Sequence, residues 1–306
     1  MIDELKKQMC EYFVGKEAIA ENVLICLLAG GHVLLEDVPG VGKTTLARTL
    51  AKTMECDFGR IQFTPDTLPG DVVGTTVYNA KTGEFSYREG AIMHQVILAD
   101  EINRTSPKTQ ASLLEAMAEG QVTIDGKAYP LPEPFMVIAT QNPVEFLGTY
   151  PLPEAQMDRF MMRLSIGYPE GEEELRLARN FLSGKTVEKI ESVCKAEDVK
   201  KMKEAVTKVQ LSDGVIKYVQ EIIQLTRKEK SFLLGASPRA MLSLIRASQA
   251  RAYVCGRDFV KPDDVKAVAI FVLHHRLTLT PEAKIRKEDT DRLLKELILK
   301  AKVPME

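Results

Sequence analysis

The chain has 306 residues, 45% hydrophobic and 27% charged, the mix of a soluble globular protein with room for two domains. Lys plus Arg number 41 against 43 for Asp plus Glu, a formal net charge of -2, so nothing global draws the chain to nucleic acid. Cys10, Cys26, Cys56, Cys194 and Cys255 have no metal-ligand spacing, the N-terminus lacks a signal-peptide core, and the apolar stretch from Val23 to Leu35 is broken by Gly30, Gly31 and His32; the expectation is a cytoplasmic chain with reduced thiols and no transmembrane segment.

In chain order, Val14-Gly15-Lys16-Glu17 reads as a turn and Ala18 to Ala29 as an apolar helix that could wall an adenine pocket or simply pack on a sheet. Val33-Leu34-Leu35 is a short strand. It runs into Glu36-Asp37-Val38-Pro39-Gly40-Val41-Gly42-Lys43-Thr44-Thr45, and a helical stretch follows to Lys52. Strand, glycine-rich loop and helix is the context a phosphate-binding loop requires. Gly40 and Gly42 let backbone N–H groups approach phosphate oxygens, and the helix start adds its dipole. Lys43 is expected to reach the β- and γ-phosphates and the Thr44 hydroxyl to ligate Mg²⁺. Asp37 stands where the general pattern has its first glycine, and the expectation is that it tolerates left-handed backbone there.

Arg60 to Phe63 is a short strand candidate. Leu68 to Ala91, rich in glycine and β-formers, reads as an inserted hairpin or a loop. Gln95 to Ala99 is an apolar strand that finishes in Asp100-Glu101. Carboxylates at the C-terminal end of a parallel strand sit where α/β sheets bind ligands. Asp100 is expected to hold the metal with Thr44, and Glu101 to polarise the attacking water. Ser106-Pro107 starts a helix that Gly120 stops, and Gln121 to Tyr129 folds back through Asp125-Gly126 as a hairpin. Phe135 to Thr140 is another buried strand. It ends in Gln141-Asn142-Pro143, where Asn142 contacts the γ-phosphate or water, or else caps the turn. Ala155 to Arg163 reads as a helical turn and Leu164 to Ile166 as a last strand.

Near Pro169-Glu170-Gly171 the text changes to helical periodicity, with helices expected over about 172–183, 197–206, 212–229, 237–255, 262–275 and 287–301. Arg239 follows a Ser-Pro helix start, where a cation opposes the macrodipole unless a phosphate is near; a solvated arginine is the alternative. Arg159 and Arg163 sit around Asp158-Arg159-Phe160, suited either to a finger supplied in trans or to ordinary ion pairing with Glu154 or Asp158. His274 and His275 read as structural.

Taken together, Leu35 to Thr44, Leu98 to Arg104, Ala139 to Pro143, Pro153 to Phe160 and Gly235 to Ala240 resemble the MoxR branch of the AAA+ ATPases. The resemblance covers nearly the whole chain, about Val14 to Arg276. It implies an α/β fold: a P-loop AAA+ αβα core with a parallel five-stranded sheet over 1–168, then a smaller all-α lid over 169–306. It implies ATP and Mg²⁺ as cofactors, with Pro39, Gly40, Val41, Gly42, Lys43, Thr44, Thr45 and Asp100 at the nucleotide and Thr44 and Asp100 at the metal. Glu101 completes the Walker B pair, Asn142 is sensor 1, Arg239 sensor 2, and Arg159 the arginine finger, with Arg163 in reserve. Leu68–Ala91 corresponds to a helix-2 insert and Gln121–Tyr129 to a pre-sensor hairpin.

Relatives of this kind form hexameric rings and act as chaperones in maturation or in metal and cofactor insertion, often with a partner holding a von Willebrand A domain. A nucleic-acid motor or a magnesium-chelatase-like subunit shares these features. The charge in the two hairpins, Lys81 and Arg88 against Glu84 and Glu89, and Lys127 beside Asp125, favours a protein client over nucleic acid.

Overall fold

The structure is a computed structural model that describes residues 1–15, 17–142 and 148–303. Lys16 of the expected turn and Pro143 after Asn142 lie outside the described residues. Two compact units emerge. The first comprises Met1–Leu24, His32–Arg159 and Leu164–Lys200, the second Ile25–Gly31, Phe160–Arg163 and Lys201–Glu306. The change in sequence character near 168–171 thus precedes the end of the first unit, which runs on to Lys200.

The chain opens with α1 (Ile2–Tyr12) and α2 (Glu17–Leu28), followed by β1 (Val33–Glu36), α3 (Lys43–Thr53) and β2 (Phe58–Gln62). The insert follows as a short helix α4 (Pro69–Val73) and a hairpin of β3 (Gly74–Asn79) and β4 (Glu84–Glu89). Next come β5 (Val96–Asp100), α5 (Pro107–Glu119), the hairpin β6 (Gln121–Ile124) and β7 (Lys127–Pro130), β8 (Met136–Gln141), α6 (Glu154–Met157), β9 (Met162–Leu164) and α7 (Glu172–Leu182). One five-stranded sheet runs β2-β5-β8-β1-β9. Its β2–β5, β5–β8 and β8–β1 pairs are parallel.

Burial explains the order. Every residue of β8 is buried, as are Val96 to Ala99 of β5 and Val33 to Leu35 of β1, so these uninterrupted apolar runs form the centre. On β2 only Gly59 and Ile61 are buried, while Arg60 and Gln62 point outward, the alternation of an edge strand covered on one face. Chain reversals carry the expected chemistry. The Ser106 hydroxyl accepts the Thr109 N–H at the start of α5, and Gly120 closes that helix in the left-handed region, φ 65°. Asp125 and Gly126, φ 49° and 77°, make the β6–β7 turn.

The two hairpins are tied together. The Tyr87 ring stacks on Tyr129 with centroids 4.0 Å apart, and the Thr76 hydroxyl donates to Asp125 Oδ2 (2.5 Å). Further out on the same face of β3–β4, Tyr78 and Phe85 contact each other at 5.1 Å and are 55% and 72% exposed.

From Lys201 onward the second unit is mostly helical. It takes in most of α8 (Ala196–Thr207), then α9 (Asp213–Lys228), α10 (Pro238–Val254), α11 (Pro262–Leu273), α12 (Pro281–Ile285) and α13 (Thr290–Lys300). α9, α10, α11 and α13 pack on one another around Tyr218, Ile222, Leu244, Val265 and Leu294. Phe232–Leu234 and Thr278–Leu279 add a small antiparallel sheet. Two expectations need correcting. The helical turn expected over Ala155 to Arg163 ends at Met157. The last strand then begins at Met162, because Met162 and Leu164 are the buried pair and Arg163 lies between them half-buried.

Candidate functional site

The loops after β1, β5 and β8 leave the same end of three adjacent parallel strands, so their side chains converge. Pro39, Gly40, Gly42, Lys43, Thr44, Arg60, Asp100, Glu101 and Asn142 line one cavity of about 380 Å³. Gly40 and Gly42 both take left-handed backbone, φ 86° and 91°, and nothing lies within 4 Å of where a Gly40 Cβ would stand. The concave loop therefore presents backbone to open space. α3 starts at Lys43 with no side-chain cap and no acid in its first turn, so its first N–H groups are left for another acceptor.

Lys43 Nζ donates to the Asp37 carbonyl (2.8 Å). Burial pulls the Lys43 ammonium below its ordinary value, and Asp37, Asp100 and Glu101 pull the other way. Asp100 Oδ1 accepts from the buried Thr140 hydroxyl (2.7 Å) and Oδ2 from Arg60 Nη2 (2.7 Å). The Thr140 oxygen also accepts the Glu101 N–H (2.8 Å), which fixes the backbone between the two acids. Glu101 sits in the left-handed region, φ 57°, and its Oε2 accepts from Gln62 (2.9 Å) and Arg104 (3.1 Å). Such backbone is strained for glutamate and persists because its neighbours fix it.

The cavity thus joins a cradle for anionic oxygens, a cation, a hydroxyl and two carboxylates. That donor set fits a polyphosphate with a hard divalent ion held by the Thr44 hydroxyl and Asp100. Val41 and Thr45 face a second recess of about 210 Å³ beside the loop. It is lined by Tyr12 to Gly15 and by Ile166 to Pro169, with Leu177 of α7. The end of α1 and the segment after β9 thus supply the apolar walls of this recess.

Three comparisons bear on this geometry. The model of the ATPase family associated with various cellular activities (AAA) matches residues 32–162, and the AAA lid domain model matches 224–297. A chaperone of Mycobacterium tuberculosis, MoxR1, is 43% identical over 88% of this chain and 74% of its own length. Protein MoxR of Paracoccus denitrificans is 31% identical over 90% of this chain and 88% of its own. The chain belongs to the MoxR family of AAA+ ATPases. An uncharacterised Bacillus subtilis protein, YeaC, is 52% identical over 96% of this chain and 92% of its own length. A crystal structure of a proposed ATPase from Cytophaga hutchinsonii superposes with a TM-score of 0.92 at 41% identity, covering 99% of this chain and 95% of that one.

The remaining MoxR-type candidates are placed as follows. Asn142 is buried at the end of β8 on the cavity wall. Arg159 Nη1 donates to the Leu114 carbonyl of α5 (2.7 Å). Arg163 bonds His274, whose Nδ1 meets Asp291 (2.6 Å). Arg239 belongs to the second unit, exposed in the first turn of α10 behind the Ser237 cap. His275 is buried and its Nε2 donates to the Phe160 carbonyl (3.0 Å). Burial, with Arg276 beside it, holds the imidazole well below its ordinary value.

Asp37 requires a correction. It is not among the residues with left-handed backbone. Its carboxylate is buried and accepts the Ile166 N–H (2.5 Å), the Gly167 N–H (3.1 Å) and the Ser165 hydroxyl (3.1 Å). Position 37 thus carries a carboxylate because it ties the phosphate loop to the segment after β9. Arg60, Gln62 and Thr140 escaped the sequence reading, because their contacts follow from strand register. For Arg60 and Gln62 the available signal was a pair of polar residues alternating with buried Gly59 and Ile61.

Proposed function

We propose that this chain binds and hydrolyses ATP with Mg²⁺ in a homo-oligomeric ring, a hexamer by family resemblance, and that hydrolysis drives remodelling or maturation of a partner protein. The observation that carries the reading is the single cavity in which Lys43, Thr44, Asp100, Glu101 and Asn142 meet. Bound MgATP supplies the phosphoanhydride bond and a metal that neutralises its charge. Lys43 and the N–H groups of Gly40 to Thr45 hold the phosphates. Thr44 and Asp100 hold the metal, and Glu101 orients and polarises water once it leaves Gln62 and Arg104. Asn142 steadies the reacting end. Arg159 acts on a neighbouring subunit's nucleotide, and Arg239 on that of its own.

Support for a protein client comes from the paired hairpins. Their exposed tip is aromatic, Tyr78 and Phe85, and the neighbouring charges balance. The chaperone name of the Mycobacterium tuberculosis relative agrees with it, and the family resemblance adds a von Willebrand A partner, a site of maturation or of metal and cofactor insertion, and a cytoplasmic location. All five cysteines are free.

The test compares wild type, Lys43→Ala and Glu101→Gln for nucleotide binding by calorimetry and for phosphate release. Lys43→Ala should lose binding. Glu101→Gln should bind normally and turn over roughly 10²- to 10⁴-fold more slowly. Wild-type turnover in Glu101→Gln, or wild-type affinity in Lys43→Ala, would overturn the assignment.

A further inference from the structure

β2 is the edge strand beside β5, in parallel register, with Gln62 opposite Asp100. Arg60, two residues before Gln62, sends its guanidinium along the strand edge to the cavity wall. Nη2 donates to Asp100 Oδ2 (2.7 Å) and to Gln62 Oε1 (2.6 Å). The other oxygen of Asp100, Oδ1, is committed to the Thr140 hydroxyl (2.7 Å). Oδ2 is therefore the oxygen that remains for a divalent ion or its water, and a guanidinium already sits on it. The pair is lopsided in exposure: the Asp100 side chain is 15% exposed and Arg60 48%. The carboxylate is fixed while the cation reaches it from the solvent side, so the arginine is the partner free to leave.

We propose that Arg60 is a built-in counter-cation, which neutralises Asp100 while no metal is bound and competes with Mg²⁺ for Asp100 Oδ2. The proposal rests on the nucleotide–metal reading of the cavity given above. A divalent ion beside Asp100 Oδ2 repels the guanidinium already on that oxygen, so metal loading weakens the Arg60 contact and Arg60 weakens metal loading. Without metal, the same arginine screens the phosphates from Asp100 and permits some nucleotide to bind. Arg60 is in this sense a positioning residue for the metal site.

The experiment titrates Mg²⁺ against a fluorescent non-hydrolysable ATP analogue, and repeats the nucleotide titration in excess EDTA. It uses wild type, Arg60→Ala and Arg60→Lys in the full chain. In Arg60→Ala the Mg²⁺ midpoint should fall roughly 2- to 5-fold, the scale of a half-exposed ion pair. Nucleotide affinity in EDTA should weaken by a similar factor, because the bare carboxylate now faces the phosphates. Arg60→Lys keeps the charge but not the fork and should lie between the two in both arms. A purely structural role would weaken both arms together. An unchanged or raised Mg²⁺ midpoint in Arg60→Ala would overturn the proposal while leaving the cavity assignment intact. If wild type itself binds no nucleotide with Mg²⁺, the cavity assignment fails first and the proposal with it.

Discussion

Replacing Asp37 with alanine removes the acceptor of two backbone N–H groups and one hydroxyl in a single step. The side chain is 6% exposed and Ile166 beside it 3%, so water does not readily substitute. A hydrogen bond to a charged group contributes about 1.5–3 kcal/mol, and each buried donor left unpaired costs about 1–3 kcal/mol. The carboxylate's own desolvation is recovered, so the expected net loss is about 3–5 kcal/mol. At about 2–4 °C per kcal/mol for a unit of this size, the melting temperature should fall by about 6–20 °C. Asp37→Asn keeps the shape and one carbonyl acceptor and should lose about half as much. Asp37→Gly restores the glycine of the general loop pattern and is the decisive variant. If residue 37 needed left-handed tolerance, glycine would be neutral or stabilising. If the carboxylate is a tether, glycine should melt as low as alanine. Differential scanning calorimetry of the nucleotide-free chain reads all three. Alanine or glycine variants melting within about 2 °C of wild type would refute the tether.

Two pH effects follow from the site and from the helical unit. Because burial lowers the Lys43 ammonium, part of it is neutral at alkaline pH, and phosphates should restore its proton. Calorimetry in buffers of different ionisation enthalpy should show proton uptake on ATP binding near pH 9.5 and little near pH 7; equal uptake at both would contradict it. His275 is neutral when folded and protonates on unfolding below its ordinary 6.5. Its share of stability is therefore present above about pH 6.5 and is lost as pH falls through and below that value, by at most about 1.4 kcal/mol per pH unit. Urea midpoints of wild type should fall more steeply from pH 7 to 5 than those of His275→Gln, and parallel slopes would exclude the assignment.

The parts of the site legible in the sequence were those written locally. Gly40 to Thr44 with a strand before and a helix after, an apolar run ending in Asp100-Glu101, and the Ser106 and Gly120 brackets of α5 each need only neighbouring residues. What escaped depends on partners far along the chain. Asp37 meets Ser165 to Gly167, Arg60 meets Asp100, and Thr140 bridges Asp100 and Glu101. α1 is an exception of another kind: Ile2, Leu5, Met9 and Tyr12 recur at helical spacing, a local signal that the reading passed over. The small sheet of Phe232–Leu234 and Thr278–Leu279 pairs three residues with two, far apart in the chain, and carries almost no local signal.

The stapling of the two hairpins has a mechanical consequence. β3–β4 and β6–β7 are joined side to side by the Tyr87–Tyr129 stack and the Thr76–Asp125 bond, so neither can swing alone. They form one tine, about 20 Å along the strands of the longer hairpin. Its root is short: β6 begins directly after α5, and α5 begins shortly after Glu101. A tilt of α5 would move both arms through one stroke, and load taken up at Phe85 would divide between the aromatic clasp and the hairpin's own root, which runs from Glu89 to Val96 of β5.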